Sequence, residues 1–452
     1  MHGITIGISL LVSLILIRNS QYGAILVGLL FLPLFIIKFE YIFPLVLIVR
    51  SSLDIFTDIG VYIGPMKLNI PAVISIFIDM AGLLYLGFLF QRDKKIPFDD
   101  ISKSFSIWLF FLFFWIFWAY HQFGPEGLIG VREWIRLFSL FIIFLLSLQL
   151  VRMKGYEYLI NSTILSLIIP LSVGYYQIFS QIFLLSMPYR IYATLAHPNV
   201  LSLYLVFFMA ITMWKLKFAK KKVPWLGLQL IILIALLNTF SIGGMVMICV
   251  LFVMIVLKEF ELRNKLLILS FSIILFFAFI NTDIGQKRLT ELKTTPSLVE
   301  VIEGDAVTNS FTWRIVNWKM LLGIWIDKPM MGFGLNTTGL ANPWHNYAAH
   351  NDFLRFLVET GVIGFIIYIW FLFKIWVNLR AQYQSCTNAR EKYLAMMIEA
   401  VFIAWMIGSI VDNYITATTF QFYFWALLAC VMGNKINEKL KYQSSDINNL
   451  SY

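Results

Sequence analysis

The sequence is short of charge. Asp, Glu, Lys and Arg make up 13% of it while 60% is hydrophobic, against roughly 25% charged and 45–50% apolar in a soluble domain. A chain with so few ionic groups does not cover itself with a water-facing surface, which argues against a soluble globular protein. Cysteine is scarce as well. Cys249, Cys386 and Cys430 are scattered, in no metal-ligand spacing and in no disulfide framework. No Gly-rich phosphate cradle follows a strand pattern, which argues against a nucleotide-sugar donor. No Asp-x-Asp pair is present. Its nearest approach, Glu303-Gly-Asp305, lies in a polar stretch without a second ligand set, so no metal or other cofactor is expected. No internal repeat is found. The net charge of +10 does not indicate nucleic acid, because Lys and Arg stand in short clusters between apolar runs.

Those apolar runs define the fold class. They fall near residues 4–17, 22–37, 39–50, 70–90, 104–120, 131–151, 158–181, 197–214, 224–240, 242–258, 265–281, 353–373, 393–411 and 414–433. A span needs about 20 mostly apolar residues, so the expectation is an all-α polytopic membrane bundle of about 12–14 spans. The stretch 22–50 reads as two short helices turning at Lys38-Phe39-Glu40. The first run starts at Ile4 with no basic segment before it and no small-residue cleavage site after it, and reads as a retained span. The basic clusters alternate along the chain: Arg92 to Lys103, Arg152 and Lys154, Lys215 to Lys222, Lys258 to Lys265, Lys374 to Lys392, and Lys435 to Lys441. By the positive-inside rule these are cytoplasmic. The organisation expected is an N-terminal bundle over 1–281 with about ten spans, an outward loop over 282–352, C-terminal membrane helices over 353–433 and a cytoplasmic tail over 434–452.

A single long loop is more often functional than idle. Within it, Phe311–Ile326 reads as an interfacial helix carrying Trp313, Trp318 and Trp325, with Arg314 and Asn317 on one face. Lys328-Pro329 ends it, and Gly332-Phe333-Gly334 permits a tight reversal. The stretch His345-Asn-Tyr-Ala-Ala-His350-Asn351-Asp352 then runs straight into an apolar helix. Asn351 and Asp352 are good N-caps. His350 therefore stands at the positive end of a membrane helix, a place suited to an anion and to proton transfer. An imidazole, whose ordinary pKa is about 6.5, suits a general base. His345 reads as structural, His197-Pro198-Asn199 as a helix-start turn capped by Asn199, and Arg355 with Glu359 as an intrahelical ion pair.

These residues resemble a known family. Arg314 with Trp318, Pro329-Met-Met-Gly332-Phe-Gly334, His350-Asn351 and Glu359-Thr-Gly361-Val-Ile-Gly364 look like the outward-loop pattern of the O-antigen ligase and O-antigen polymerase superfamily. Upstream, Pro170, Gly174-Tyr-Tyr-Gln177 and Arg190-Ile-Tyr-Ala-Thr-Leu-Ala-His197-Pro198-Asn199 resemble further family segments, as do Arg132-Glu133-x-x-Arg136 and Arg50-x-x-x-Asp54. Two positions depart from it: Ile242 stands where members often carry an arginine, and Ala193 replaces a glycine.

The resemblance implies a polytopic fold similar to the GT-C glycosyltransferases, in the bacterial inner membrane, with the active site facing the periplasm or cell exterior. It implies an inverting, metal-independent transfer of a glycan from an undecaprenyl-diphosphate carrier. A polymerase passes the glycan to the next repeat unit of an O-antigen, capsule or exopolysaccharide, and a ligase passes it to lipid A–core, completing lipopolysaccharide. Catalysis is expected from His350 and Arg314, lipid-diphosphate binding from Arg190, Arg132 and Arg136, and support from Asn351, Asn317 and Glu359. Membrane lipids and a chain-length regulator complete the expected partners. The contrasting class is a flippase or other transporter of lipid-linked oligosaccharide, which would show paired repeats and broken helices at the midplane. The chain's asymmetric outer loop favours the enzyme.

Overall fold

In the computed structural model, nearly every described residue that lies in an apolar run is helical. The structure describes residues 32–57, 60–63, 66–92, 98–183, 189–259, 309–344 and 347–449, with isolated positions between 261 and 290. The run 4–17, nearly all of 265–281, most of 22–37, the carboxylates Glu303 and Asp305, and His345 lie outside the described residues.

The turn expected at Lys38 is present. Helical residues 32–37 lead into α1 (Phe39–Arg50) through Lys38, whose φ of −122° and ψ of 39° interrupt the helix. A two-stranded antiparallel hairpin follows, β1 (Gly60–Ile63) with β2 (Met66–Asn69). Asn69 caps α2 (Ile70–Gln91) by accepting from the Ala72 N–H, with Pro71 at the first turn. Asp99 and Ser102 form a capping box for α3 (Asp100–Phe123). A 3-10 turn over Gly124–Leu128 reverses the chain into α4 (Ile129–Lys154). This helix is buried all round from Ser139 to Val151, as a central helix must be.

The run 158–181 is two helices, α5 (Tyr156–Leu165) and α6 (Ile168–Ser180). Pro170 has no N–H to offer the Ser166 carbonyl four residues back. That carbonyl accepts from the Ser51 hydroxyl at 2.8 Å instead, so the helix break is pinned to another element. Beyond it come α7 (Pro198–Phe218), α8 (Val223–Asn238) and α9 (Ile242–Glu259). The helix expected over Phe311–Ile326 is α10 (Ser310–Trp325), capped by Asn309 and Thr312. The chain closes with α11 (Asp352–Ser385), α12 (Ala389–Gly408) and α13 (Thr418–Asn449). Aromatic rings join α3, α11 and α13: Trp108 stacks on Phe371 at 4.6 Å, and Phe371 on Trp425 at 5.9 Å.

Among the described residues six helical stretches are long and apolar enough to cross a membrane, and one of them, Asp100–Lys154, contains both α3 and α4. The chain is an all-α, multi-pass membrane bundle, with the short hairpin as an excursion from it. Its two ends differ. At one end the basic clusters find carboxylates: Arg390 with Glu157 at 2.7 Å, Lys258 with Glu399 at 2.5 Å, and Lys217 with Glu259. Helix α7 runs from that end to the other, and its 21 residues span roughly 30 Å. Its far end, at His197, is where the residues singled out in the long loop gather.

The long loop is stitched to that end by a break in α11. Gly361 has φ 62° and ψ −171° inside the helix, a combination essentially reserved to glycine. The carbonyls this frees are not left bare. Val358 O accepts from Phe333 N at 3.0 Å and Glu359 O from Gly334 N at 2.7 Å, while Val362 N donates to Pro329 O at 2.8 Å. A Cβ at Gly361 would lie 2.2 Å from the Met330 carbonyl oxygen. The reversal expected at Gly332-Phe333-Gly334 is thus a strap crossing a broken helix.

Candidate active site

His350 is held in an unusual backbone conformation. Its φ is +47°, in the left-handed region that residues other than glycine seldom enter. Helix α10 fixes the strand that carries it. Trp318 Nε1 donates to Ala349 O at 2.8 Å and Asn317 Nδ2 to Ala348 O at 3.0 Å. Asn317 is buried and is itself steadied by Asn342, which donates to its Oδ1 at 2.7 Å. Asn351 caps α11 through Leu354 N and ties its own N–H to Asn413 Oδ1 at 2.9 Å. The Trp313 ring lies edge-on to the imidazole at 5.3 Å. Left-handed geometry held from both sides aims the ring, one-third exposed, at Asp412.

Asp412, between α12 and the short 3-10 turn Tyr414–Thr416, is the residue that sequence reasoning missed. Its Oδ1 lies 3.1 Å from His350 Nδ1 and its Oδ2 accepts from Asn199 Nδ2 at 2.7 Å. Burial alone would raise its pKa. The hydrogen bond from His350, its positive charge when protonated, and the hydrogen bonds from Asn199 and the Asn413 backbone outweigh that and bring it down to about 2. Asn199 carries the network onward, for its Oδ1 accepts from Arg190 Nη2 at 2.8 Å and from Ser241 Oγ at 3.0 Å. Arg190 Nε donates to Thr239 O at 2.9 Å. Asn199 is thus a bridge and not the cap expected: His197 Nδ1 caps α7 by accepting from Asn199 N at 3.1 Å. Burial lowers the His197 pKa; Asp412 opposes that, and Arg190, His350 and Arg314 add to it. One electrostatic cluster therefore joins the two segments, from opposite halves of the chain.

Arg314 reaches the same segment from α10. Its Nε donates to Val411 O at 3.1 Å, its Nη1 to Ser310 O at 2.9 Å and to the Ser310 hydroxyl. Its Nη2 has no protein partner among the described residues. Asn317, one turn on, points into the loop and not alongside Arg314.

The remaining candidates stand elsewhere. Arg136 is taken up by Glu133, at 2.9 Å from Nε, and by the Ile415 carbonyl. Glu133 also accepts from Arg355 at 2.8 Å, and Arg355 Nε donates to Glu359 at 2.9 Å. The Arg355–Glu359 pair is therefore intrahelical, as expected, but extended by Glu133. Asp352 is not part of it: its Oδ2 accepts from Ser409 Oγ at 2.8 Å and from Ile415 N at 2.9 Å. Glu359 clamps the strap by accepting from Asn336 N at 2.8 Å and Thr338 Oγ1 at 2.7 Å. Arg132 is exposed. Together with Arg136, Glu133, Arg50 and Asp54 it lines a cavity of about 620 Å³, whose wall over Thr416–Thr418 continues the segment that begins at Asp412.

Residues 227–369 match the family model described as O-antigen ligase. Over this region the chain is similar to the O-antigen ligase family. No curated protein matches the chain. The superfamily segment contains Arg314, Asn317, His350, Asn351 and Glu359, whereas Arg190, Asn199 and Asp412 reach the site from outside it. The two departures from the superfamily pattern have structural counterparts. Ala193 has φ +53°, a conformation that suits the glycine it replaces. Ile242 is 60% exposed and follows Ser241, so the arginine often present in members would stand next to the Arg190–Asn199 network.

Proposed function

We propose that this protein is a membrane glycosyltransferase that polymerises glycan repeat units carried on undecaprenyl diphosphate, at the outer face of the inner membrane. The observation that carries the reading is the His350–Asp412 contact. An ionised carboxylate only accepts, so Nδ1 bears the proton and Nε2 keeps its lone pair. Nε2 takes the proton of the acceptor sugar hydroxyl as that oxygen attacks the anomeric carbon of the donor. The bond to the diphosphate breaks in the same displacement, which inverts the anomeric centre. Negative charge grows on the departing diphosphate. Arg314, with Nη2 unpartnered among the described residues, and Arg190, one residue from Asp412 through Asn199, are placed to stabilise it by charge-assisted bonds worth about 1.5–3 kcal/mol each. Asn351, Asn317 and Glu359 hold the backbone that aims these groups. A ligase reading has its own support, because the matching family model is described as O-antigen ligase. It uses the same chemistry with lipid A–core as acceptor.

Purified protein given lipid-diphosphate-linked repeat units, with and without lipid A–core, tests both. Longer lipid-linked chains indicate the polymerase, and glycan on lipid A–core the ligase. Undiminished transfer by His350→Ala would overturn both. Arg314→Lys retains the charge but loses the planar fork, and is expected to lower transfer about tenfold or more. Full activity would reduce Arg314 to a headgroup anchor.

A further inference from the structure

The cavity beside the site carries a charge surplus that the transfer chemistry does not use. Five ionisable side chains line it: Arg50, Arg132 and Arg136 against Asp54 and Glu133. Arg50 is paired with Asp54 at 2.5 Å and Arg136 with Glu133 at 2.5 Å. Glu133 is shared with Arg355 behind the wall, but Arg355 has Glu359 as its second carboxylate, so that pair adds no net charge. Among the described residues Arg132 is left without a counter-ion. Arg50 is also under-used. Its side chain is 1% exposed, and its buried Nε–H has no hydrogen-bond partner. A buried guanidinium donor without a partner is costly. The volume, about 620 Å³, is in the range of small-ligand sites.

We infer that this cavity binds a single anionic group borne by a sugar of the glycan substrate, a uronate carboxylate or a phosphate substituent. The inference rests on the glycosyltransferase reading and names a substrate feature for it. A surplus of one positive charge matches one anionic group better than it matches a diphosphate. On the cavity wall the Thr416 and Thr418 hydroxyls donate to the Asn413 and Thr416 carbonyls, which leaves their oxygens to accept from ring hydroxyls. Thr416 and Thr418 follow Asp412 in the same connecting segment, so a sugar bound there lies along the chain from the one that His350 deprotonates. The same oxyanion chemistry would also suit the carrier's diphosphate, and the two sources are separable.

The test uses the full-length protein in lipid nanodiscs and three probes: a glucuronate-containing disaccharide, its neutral glucose counterpart, and geranyl diphosphate. The acidic disaccharide is expected to bind about tenfold more tightly than the neutral one, with an advantage that shrinks as salt rises. Arg132 is exposed, so Arg132→Gln is expected to leave folding intact. It is expected to erase the acidic preference and to leave geranyl diphosphate binding unchanged. Equal binding of the two disaccharides by the wild type overturns the inference. So does competition by geranyl diphosphate that weakens in Arg132→Gln, which would assign the cavity to the carrier. Failure of the transferase reading shows separately, as absence of glycan transfer by the wild type.

Discussion

Asp412 decides which nitrogen of His350 carries the proton, and that makes it the most informative residue to change. Asp412→Asn preserves the shape but offers a neutral amide. It is expected to lower transfer about a hundredfold or more, the scale of a general base lost or mis-set. The same variant has a pH signature. The Asp412 pKa of about 2 in the folded protein lies below that of an unfolded carboxyl, about 3.9. The stability it adds is therefore fully present above about pH 4 to 5 and is lost as pH falls toward 2. Melting temperatures of wild type and Asp412→Asn should differ at neutral pH and converge toward pH 2. A constant gap across that range would refute the assignment. The sequence made His350 and Arg314 legible because both sit in short recognisable patterns. Asp412 was not legible. It is 62 positions from its partner, in a two-residue gap between apolar runs where a polar residue needs no explanation. The bridge through Asn199 was hidden for the same reason, since an Asn after a proline at a helix start looks like a cap.

The elements were largely legible. A bilayer-length apolar run with Asn, Asp or Pro at its start leaves little freedom in where a helix begins, and α2, α3, α7 and α10 begin where those residues stand. The two interruptions were harder. Glycine and proline are tolerated inside membrane helices, so Pro170 and Gly361 did not announce breaks. Their effect depends on partners from elsewhere, the Ser51 hydroxyl for one and the strap at Pro329–Gly334 for the other. Gly361→Ala is expected to cost about 2 kcal/mol or more, because both the backbone conformation and the Met330 carbonyl oppose a methyl group. Gly323 provides the contrast, lying in α10 with nothing within 4 Å of a built Cβ. Gly323→Ala should gain a little under about 1 kcal/mol from helix propensity. Thermal melting of the two variants in one detergent checks both signs, and a Gly361→Ala protein that melts like the wild type would mean that the strap does not depend on the break.

At the scale of the whole molecule, three of the basic clusters expected on one side lie at the end of the bundle opposite His197, where Lys217, Lys258 and Arg390 pair with Glu259, Glu399 and Glu157. The number of spans toward the N-terminus was less legible, because short runs near 4–37 admit more than one division. Orientation can be read with a membrane-impermeant thiol reagent on intact cells. Thr416 and Lys220 are both exposed, one near the site and one in a basic cluster. Thr416→Cys should label from outside, and Lys220→Cys only after the membrane is opened. The reverse pattern would place the site in the cytoplasm and remove the basis for an outward-facing transferase.

The shared carboxylate of Glu133 has a consequence for how the chain is made. Its partner Arg355 is 222 residues later, which at 5–20 residues per second means a wait of roughly 10–45 s. Throughout that interval α4 carries a carboxylate into the membrane without its eventual counter-ion. Arg136, three residues away and paired with Glu133 through both oxygens, is synthesised with it and shields it from the first moment. Arg136 is therefore expected to escort the carboxylate during biogenesis, and Arg136→Met should reduce the amount of chain that reaches the membrane. Quantitative immunoblotting of the membrane fraction measures this, and an undiminished yield would show that Glu133 enters unaided.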